Sequence, residues 1–270
     1  MSSLSVTIIQ TRLHWENKQA NLQMLEEKIS AIKEKTEVVV LPEMFNTGFS
    51  MRPEELAETM DGDTVQWMKR IASEKKIILT GSIIISEKNN TDYYNRLTWM
   101  LPNGEYGVYD KRHLFAYAGE DKHYSAGHKR FIASVKGWKV NLQVCYDLRF
   151  PVWARQSFPT NNGSEPEYDL LVYVANWPER RSHAWKTLLQ ARAIENQCYV
   201  VGVNRVGNDG NDIYHSGDSM VIDPMGEALY HKKDEEDVFT IVLNKSTLQS
   251  IREKLPFLKD ADDFLLLNKD

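Results

Sequence analysis

Two cysteines, Cys145 and Cys198, are the only thiols in 270 residues. That is too few for a disulfide framework, and it fits a reducing compartment. Nor are there histidines at ligand spacing around them, which argues against a zinc site. Long apolar runs are lacking too. None approaches the roughly 20 residues that a membrane helix requires. The opening string Met-Ser-Ser-Leu-Ser-Val-Thr-Ile-Ile-Gln has no basic leader and reads as a first strand, not a signal segment. Positive charge is not in surplus: the net charge of −5 gives no general attraction to nucleic acid or anionic lipid. Internal repeats and low-complexity tracts are missing as well. What is there is ordinary globular composition, 42% hydrophobic and 26% charged, in a chain long enough to bury a large core without covalent staples. Together these predict a cytoplasmic protein with no nucleic-acid or membrane partner and no cofactor or metal.

Apolar runs rich in β-branched residues recur along the chain, at Ser5–Gln10, Glu37–Leu41, Ile77–Ile85, Arg96–Leu101, Lys139–Val144, Leu170–Val174, Tyr199–Asn204, Asp218–Ile222 and Val238–Leu243. Several are apolar on both faces, as strands covered on each side would be. Helical spacing appears in Trp15–Lys35, in Thr64–Glu74 after Asp-Gly-Asp, and in Ser182–Gln197 with Ser182 as its N-cap. Turn signals stand at Pro102-Asn103-Gly104, Asn208-Asp209-Gly210 and Asp223-Pro224-Met225-Gly226, and the first and last predict hairpins. The loop Thr160–Glu167 is too short to separate domains. Residues 1–270 therefore read as one α/β domain with helices outside the strands. The stretch 246–270 carries Leu255, Phe257, Leu258 and then Phe264 to Leu267. Such an apolar tail needs cover, either from its own subunit or at a dimer interface.

Three strand ends carry unusual side chains. The run Lys-Val-Asn-Leu-Gln-Val delivers Cys145 and then breaks into Tyr-Asp-Leu-Arg-Phe-Pro. A thiol at the end of a buried strand is rigidly held, which suits a nucleophile, although a lone cysteine also fits as a small core hydrophobe. Glu-Val-Val-Val-Leu-Pro leads into Glu43, whose neighbours Pro42, Met44 and Phe45 are apolar. A dry carboxylate can act as a base, whereas a surface acid would merely end the strand. Lys111, in Gly-Val-Tyr-Asp-Lys-Arg-His-Leu-Phe, reads on its own as part of a solvated turn. Nothing singles out His113, His123, His128, His183 or His215 for a Cys–His pair. Cys198 reads as core.

Taken together, these segments resemble the nitrilase superfamily, the carbon–nitrogen hydrolases with a Glu-Lys-Cys triad. Leu-Pro-Glu-Met-Phe, Tyr-Asp-Lys-Arg-His-Leu-Phe and Val-Cys-Tyr-Asp-Leu-Arg-Phe-Pro look like its three catalytic motifs. Ala-Arg-Ala-Ile-Glu-Asn-Gln at 191–197 and His-Ser-Gly-Asp-Ser-Met-Val-Ile-Asp-Pro-Met-Gly at 215–226 agree with two further signatures. The resemblance implies a four-layer αββα sandwich that pairs into an eight-layered αββααββα homodimer, or a higher oligomer. It implies Cys145 as nucleophile, Glu43 as general base, and Lys111 with the Tyr146 backbone N–H as oxyanion donors. Glu120, in Phe-Ala-Tyr-Ala-Gly-Glu, matches a second glutamate that would orient Lys111 or the substrate, or serve as a structural partner. Asp147 and Arg149 could pair with each other and fix the turn.

The Cys-Tyr-Asp-Leu-Arg-Phe-Pro form and Ala-Asn-Trp-Pro at 175–178 look most like the omega-amidase branch. Its substrates are α-ketoglutaramate, α-ketosuccinamate and similar small amides, cleaved with water. A carboxylate on such a substrate would want a cation. Arg180 or Arg181 is favoured over Arg149, because a guanidinium grips a carboxylate bidentately. Phe45, Phe115, Tyr117 and Trp177 would wall the pocket, or belong to the core. The alternatives are an N-carbamoyl amine hydrolase or an aliphatic amidase, then a true nitrilase. An inert scaffold would have lost a triad residue, and all three are present.

Overall fold

Strands come first from the alternation within the short apolar runs. The computed structural model describes residues 2–87, 91–156, 165–262 and 264–266. In chain order its strands are β1 (Ser3–Gln10), β2 (Val38–Val40), β3 (Ile78–Glu87), β4 (Asp92–Met100), β5 (Tyr106–Asp110), β6 (Ile132–Val135), β7 (Trp138–Val144), β8 (Leu170–Ala175), β9 (Tyr199–Asn204), β10 (Val206–Asn208), β11 (Tyr214–Ile222), β12 (Ala228–Lys233) and β13 (Asp237–Asn244). The first sheet runs β13-β1-β2-β3-β4-β5. The second runs β10-β11-β9-β8-β7-β6, with β12 beside β11. The central pairs β1–β2, β2–β3, β7–β8 and β8–β9 are parallel. Several of the apolar runs were expected to be covered on both faces, as the parallel strands here are.

The helices are α1 (Lys18–Ser30), α2 (Pro53–Leu56), α3 (Asp63–Lys75), α4 (Glu120–His123), α5 (Pro151–Ala154), α6 (Ser182–Asn196) and α7 (Lys245–Lys254). Side-chain alternation sorts the layers. Val38 and Val40 join Leu4, Val6 and Ile8 against Val140, Leu142 and Val144 of the other sheet. Val39 and Leu41 point the opposite way, onto Leu25 and Ile29 of α1 and Val65, Met68 and Ile71 of α3. On the far side, Trp185, Leu189 and Ala193 of α6 cover the second sheet. Gly202 on β9 allows that approach, since a Cβ there would stand 2.5 Å from Leu189 and 2.9 Å from Trp185. The order helix–sheet–sheet–helix is the αββα sandwich.

Three local expectations shift. α1 begins at Lys18, where the Asn17 side chain accepts from the Ala20 N–H at 3.1 Å, and it stops at Ser30. The following Lys33-Glu34-Lys35 offers no apolar face to continue it. Ser182 is not the cap of α6: Arg181 holds that position, and the Ser182 hydroxyl donates to Asp218 at 2.7 Å. The tail folds back in part on its own subunit. Leu248 and Leu258 are buried, and Arg252 donates to the carbonyls of Tyr168 (2.8 Å) and Gln197 (2.9 Å). Phe257, Phe264, Leu265 and Leu266 stay exposed. The hairpins at 102–104 and 223–226 join β4 to β5 and β11 to β12. Residues 160–164 of the loop read from the sequence, and 267–270 of the tail, lie outside the described residues.

Candidate active site

Glu43, Lys111 and Cys145 follow β2, β5 and β7 and meet at one end of the two sheets. The Lys111 ammonium donates to Glu43 Oε1 at 2.9 Å and to both oxygens of Glu120, at 2.9 and 2.8 Å. All three side chains are wholly shielded from solvent. Glu43 is held from both sheets. Asn95 on β4 donates to its Oε1 at 2.8 Å, and the Asn176 N–H, just beyond β8, donates to its Oε2 at 2.8 Å. Asn176 also donates through its side chain to the Glu43 carbonyl at 2.5 Å. Glu120 accepts from the Phe115 N–H at 2.6 Å.

Two carboxylates around one ammonium leave a buried excess of negative charge. Burial pushes the Cys145 thiol well above the ordinary range, and Glu43 adds to this while Lys111 opposes it. The resting sulfur is therefore held protonated. Burial alone would lower the Lys111 ammonium, but Glu120 and then Glu43 outweigh it and hold it well above the usual range. Lys111 thus stays charged. Burial, with Glu43 nearby, raises the Glu120 carboxyl against the pull of Lys111.

Cys145 sits on a strained turn. Cys145 has φ of 46°, a left-handed conformation that costs a non-glycine residue about 1–3 kcal/mol. A 3-10 turn, Cys145–Arg149, carries it out of the sheet. Asp147 braces this turn with its whole carboxylate. Oδ2 accepts from the Val144 N–H (3.0 Å) and the Tyr109 hydroxyl (2.8 Å). Oδ1 accepts from the His113 N–H (2.9 Å) and faces His113 Nδ1 (2.8 Å). The anticipated Asp147–Arg149 pair is therefore not formed. Arg149 instead lies over the Trp177 ring, 5.0 Å from its centroid.

A cavity of about 220 Å³ opens onto Cys145, with Tyr146, Phe115, Tyr117, Trp177, Arg180 and Arg181 in its lining. Arg181 is half-buried over the Phe115 ring at 5.1 Å, and Arg180 is exposed. Burial, then Arg180 and Arg149, hold the Arg181 guanidinium below its ordinary range. Among the described residues, none of these three arginines forms an ion pair. Phe45 is not in the lining. Its ring turns outward under β3, into the space left by Gly81 and 6.0 Å from Trp67, because the chain reverses at Met44 (φ 44°). Phe49 takes the place beside the site, with Lys111 Nζ 5.0 Å from its ring centroid. His215 also reaches the cavity. Burial and the nearby Arg205 depress its imidazole to about 4, so it is neutral. Among the described residues, no cluster of three metal-ligating side chains forms.

Sequence reasoning missed Asn95, Asn176, Phe49 and Tyr109. One signal was available: an asparagine inside the apolar alternation of β4, where its residue type is disfavoured.

A buried Glu–Lys–Cys group at the strand ends of an αββα sandwich defines a class, and the comparisons agree. The carbon–nitrogen hydrolase family model matches residues 5–253, and the chain belongs to that family. It is similar to the omega-amidase YafV of Yersinia enterocolitica, 41% identical over 99% of this chain and 100% of that protein. It is 32% identical to the 2-oxoglutaramate amidase of Bacillus subtilis (strain 168), over 95% of this chain and 96% of that one. Among solved structures, it superposes with a TM-score of 0.95 on XC1258 from Xanthomonas campestris, a CN-hydrolase superfamily protein with an arsenic adduct in its active site. That pair is 40% identical, covering 98% of this chain and 100% of the other.

Proposed function

We propose that this protein hydrolyses the terminal amide of small ω-amide dicarboxylates, such as 2-oxoglutaramate and succinamate, to the acid and ammonia. The buried Glu43–Lys111–Glu120 group beside Cys145, beneath an arginine-lined cavity, carries the reading. The kinship with an omega-amidase and a 2-oxoglutaramate amidase supports the substrate class.

In this mechanism Glu43 takes the thiol proton as sulfur attacks the amide carbon. Lys111 and the Tyr146 N–H receive the developing oxyanion. The oxyanion collapses, the C–N bond breaks, and Glu43 returns the proton to nitrogen, so ammonia leaves and a thioester remains. Water then attacks, giving a proton to Glu43. The C–S bond breaks, and the sulfur recovers that proton. Arg181 binds the distal carboxylate, since its half-buried, ring-stacked guanidinium is pre-positioned and Arg180 is not. Phe115, Tyr117 and Trp177 wall the chain of the substrate.

The proposal includes a single catalytic unit, active as a homodimer whose contact uses exposed Val152, Ile194, Phe257 and Phe264. It places the protein in the cytoplasm, in keeping with two free thiols.

The test is ammonia release from 2-oxoglutaramate and succinamate, abolished by Cys145→Ala. Folded protein that releases none from any short ω-amide overturns the substrate assignment. Carbon dioxide release from an N-carbamoyl amine would move it to that neighbouring activity.

A further inference from the structure

The Lys111 ammonium is held by three carboxylate oxygens. An ammonium carries three N–H bonds, and Glu43 Oε1, Glu120 Oε1 and Glu120 Oε2 are all within 2.9 Å of Nζ. An N–H turned toward an oxyanion is turned away from one of these oxygens. A carboxylate oxygen released in this dry place would lose a charge-assisted bond just as negative charge develops beside it.

Asn95 stands where that oxygen could be caught. It is fully buried on β4, and its Nδ2 donates to Glu43 Oε1 at 2.8 Å and reaches Glu120 Oε1 at 3.3 Å. The orientation of this amide is fixed by its neighbours, since two carboxylate oxygens can only accept. Its main chain is tied to the same group, because the Lys111 N–H donates to the Asn95 carbonyl at 3.0 Å. The remaining atom, Asn95 Oδ1, is buried with no hydrogen-bond partner among the described residues. An unsatisfied buried acceptor costs about 1–3 kcal/mol. Packing alone would favour leucine here, so the donor end must return that cost.

We propose that Asn95 is a positioning residue for Lys111: it takes over Glu120 Oε1 when the ammonium turns one N–H from that oxygen to the oxyanion. No proton changes owner in this step. Lys111 stays charged, its bond to Glu120 Oε1 is exchanged for one to the substrate oxygen, and the 3.3 Å contact from Asn95 shortens. This role rests on the reading of Glu43, Lys111 and Cys145 as the reacting group. The titratable groups around the amide are Glu43 and Glu120, which it touches, Lys111 between them, and beyond these Cys145 and Tyr124.

The test compares Asn95→Leu, Asn95→Asp and Cys145→Ala with the unchanged protein, in ammonia release from succinamate between pH 5 and 9. Asn95→Leu removes both donors. Its kcat should fall about 10- to 100-fold, a single charge-assisted bond in the transition state, with KM changed about threefold or less. Its acidic limb should move to higher pH, because carboxylates without that donor bind protons more readily. Asn95→Asp keeps the shape but adds a third acid. It should regain activity as pH falls and the new carboxyl acquires a proton to donate. Wild-type kcat and limbs in both variants, with Cys145→Ala silent, overturn the role of Asn95 alone. Activity in Cys145→Ala overturns the underlying reading instead. Failure of both variants to fold also counts against the proposal, since a residue with only this task should leave the sandwich intact.

Discussion

Asp147→Asn should loosen the turn that carries Cys145 without touching the thiol. The carboxylate is fully buried and faces four groups: the Val144 N–H, the Tyr109 hydroxyl, the His113 N–H and His113 Nδ1. Asparagine keeps one acceptor oxygen and turns the other into an NH2. If the NH2 replaces Oδ2, it meets the Val144 N–H and a Tyr109 hydroxyl that already accepts from Trp153 Nε1 (2.9 Å) and the Arg112 N–H (3.3 Å). If it replaces Oδ1, His113 can turn Nδ1 into an acceptor, but the His113 N–H still faces a donor. Either way one main-chain N–H is stranded, at about 1–3 kcal/mol, and the surviving bonds lose their ionic partner at roughly 1 kcal/mol each. The sum is about 3–5 kcal/mol. For a chain of this size, each kcal/mol moves the melting temperature by about 2–4 °C. Calorimetry should therefore show a fall on the order of 10 °C. The orientation that releases the Val144 N–H also frees the residue before Cys145 to relax the 46° φ. kcat for 2-oxoglutaramate should then drop more than stability explains, when assayed well below the new melting point. A variant that melts within about 2 °C of the parent and keeps its kcat would refute the bracing argument.

Two further substitutions separate roles within the site. Glu43→Gln should lower turnover by about 10²- to 10⁴-fold, the usual worth of a general base. The same change should speed alkylation of Cys145 by iodoacetamide at fixed pH, because the Glu43 charge helps to hold the thiol above its ordinary range. Slower alkylation would show that Glu43 serves as the base for that reaction too. Arg181→Met should raise KM for 2-oxoglutaramate about 10- to 100-fold, the loss of a bond between charged groups, and leave an uncharged short amide unaffected. Arg180→Met should change it little, and the reverse ranking would assign the carboxylate to Arg180.

The layout of the sheets was readable because each buried strand is a short β-branched run closed by a turn residue. Glu43, Lys111 and Cys145 stood out because each lies at such a run's end, inside a contiguous string. What escaped was decided by contacts between distant parts of the chain. Asn95 lies 52 positions from Glu43, and Asn176 lies 133 positions from it. Neither link leaves a local periodicity. Phe45 went astray for a different reason. It follows Glu43 by two residues, so it reads as a wall of the pocket. The left-handed φ at Met44 turns the chain over and sends the ring to the helix side. Methionine rarely adopts that conformation, and no residue type there announces it.

The long-range links also explain where the site is. Glu43 rises from β2 in the first sheet, yet its Oε2 and its carbonyl are both held by Asn176, just beyond β8 in the second. Asp147, at the end of β7 in the second sheet, is bonded in turn to Tyr109 of β5 in the first. These paired links cross the seam in opposite directions. The placement of Cys145 relative to Glu43 is thereby set by the packing of one sheet on the other, through side chains such as Val40, Leu142 and Val144. A protein interior packs about as densely as an organic crystal, so that placement is stiff. A nucleophile and base carried on separate loops would each need their own ordering. Here the apolar core that holds the sheets together also performs that alignment.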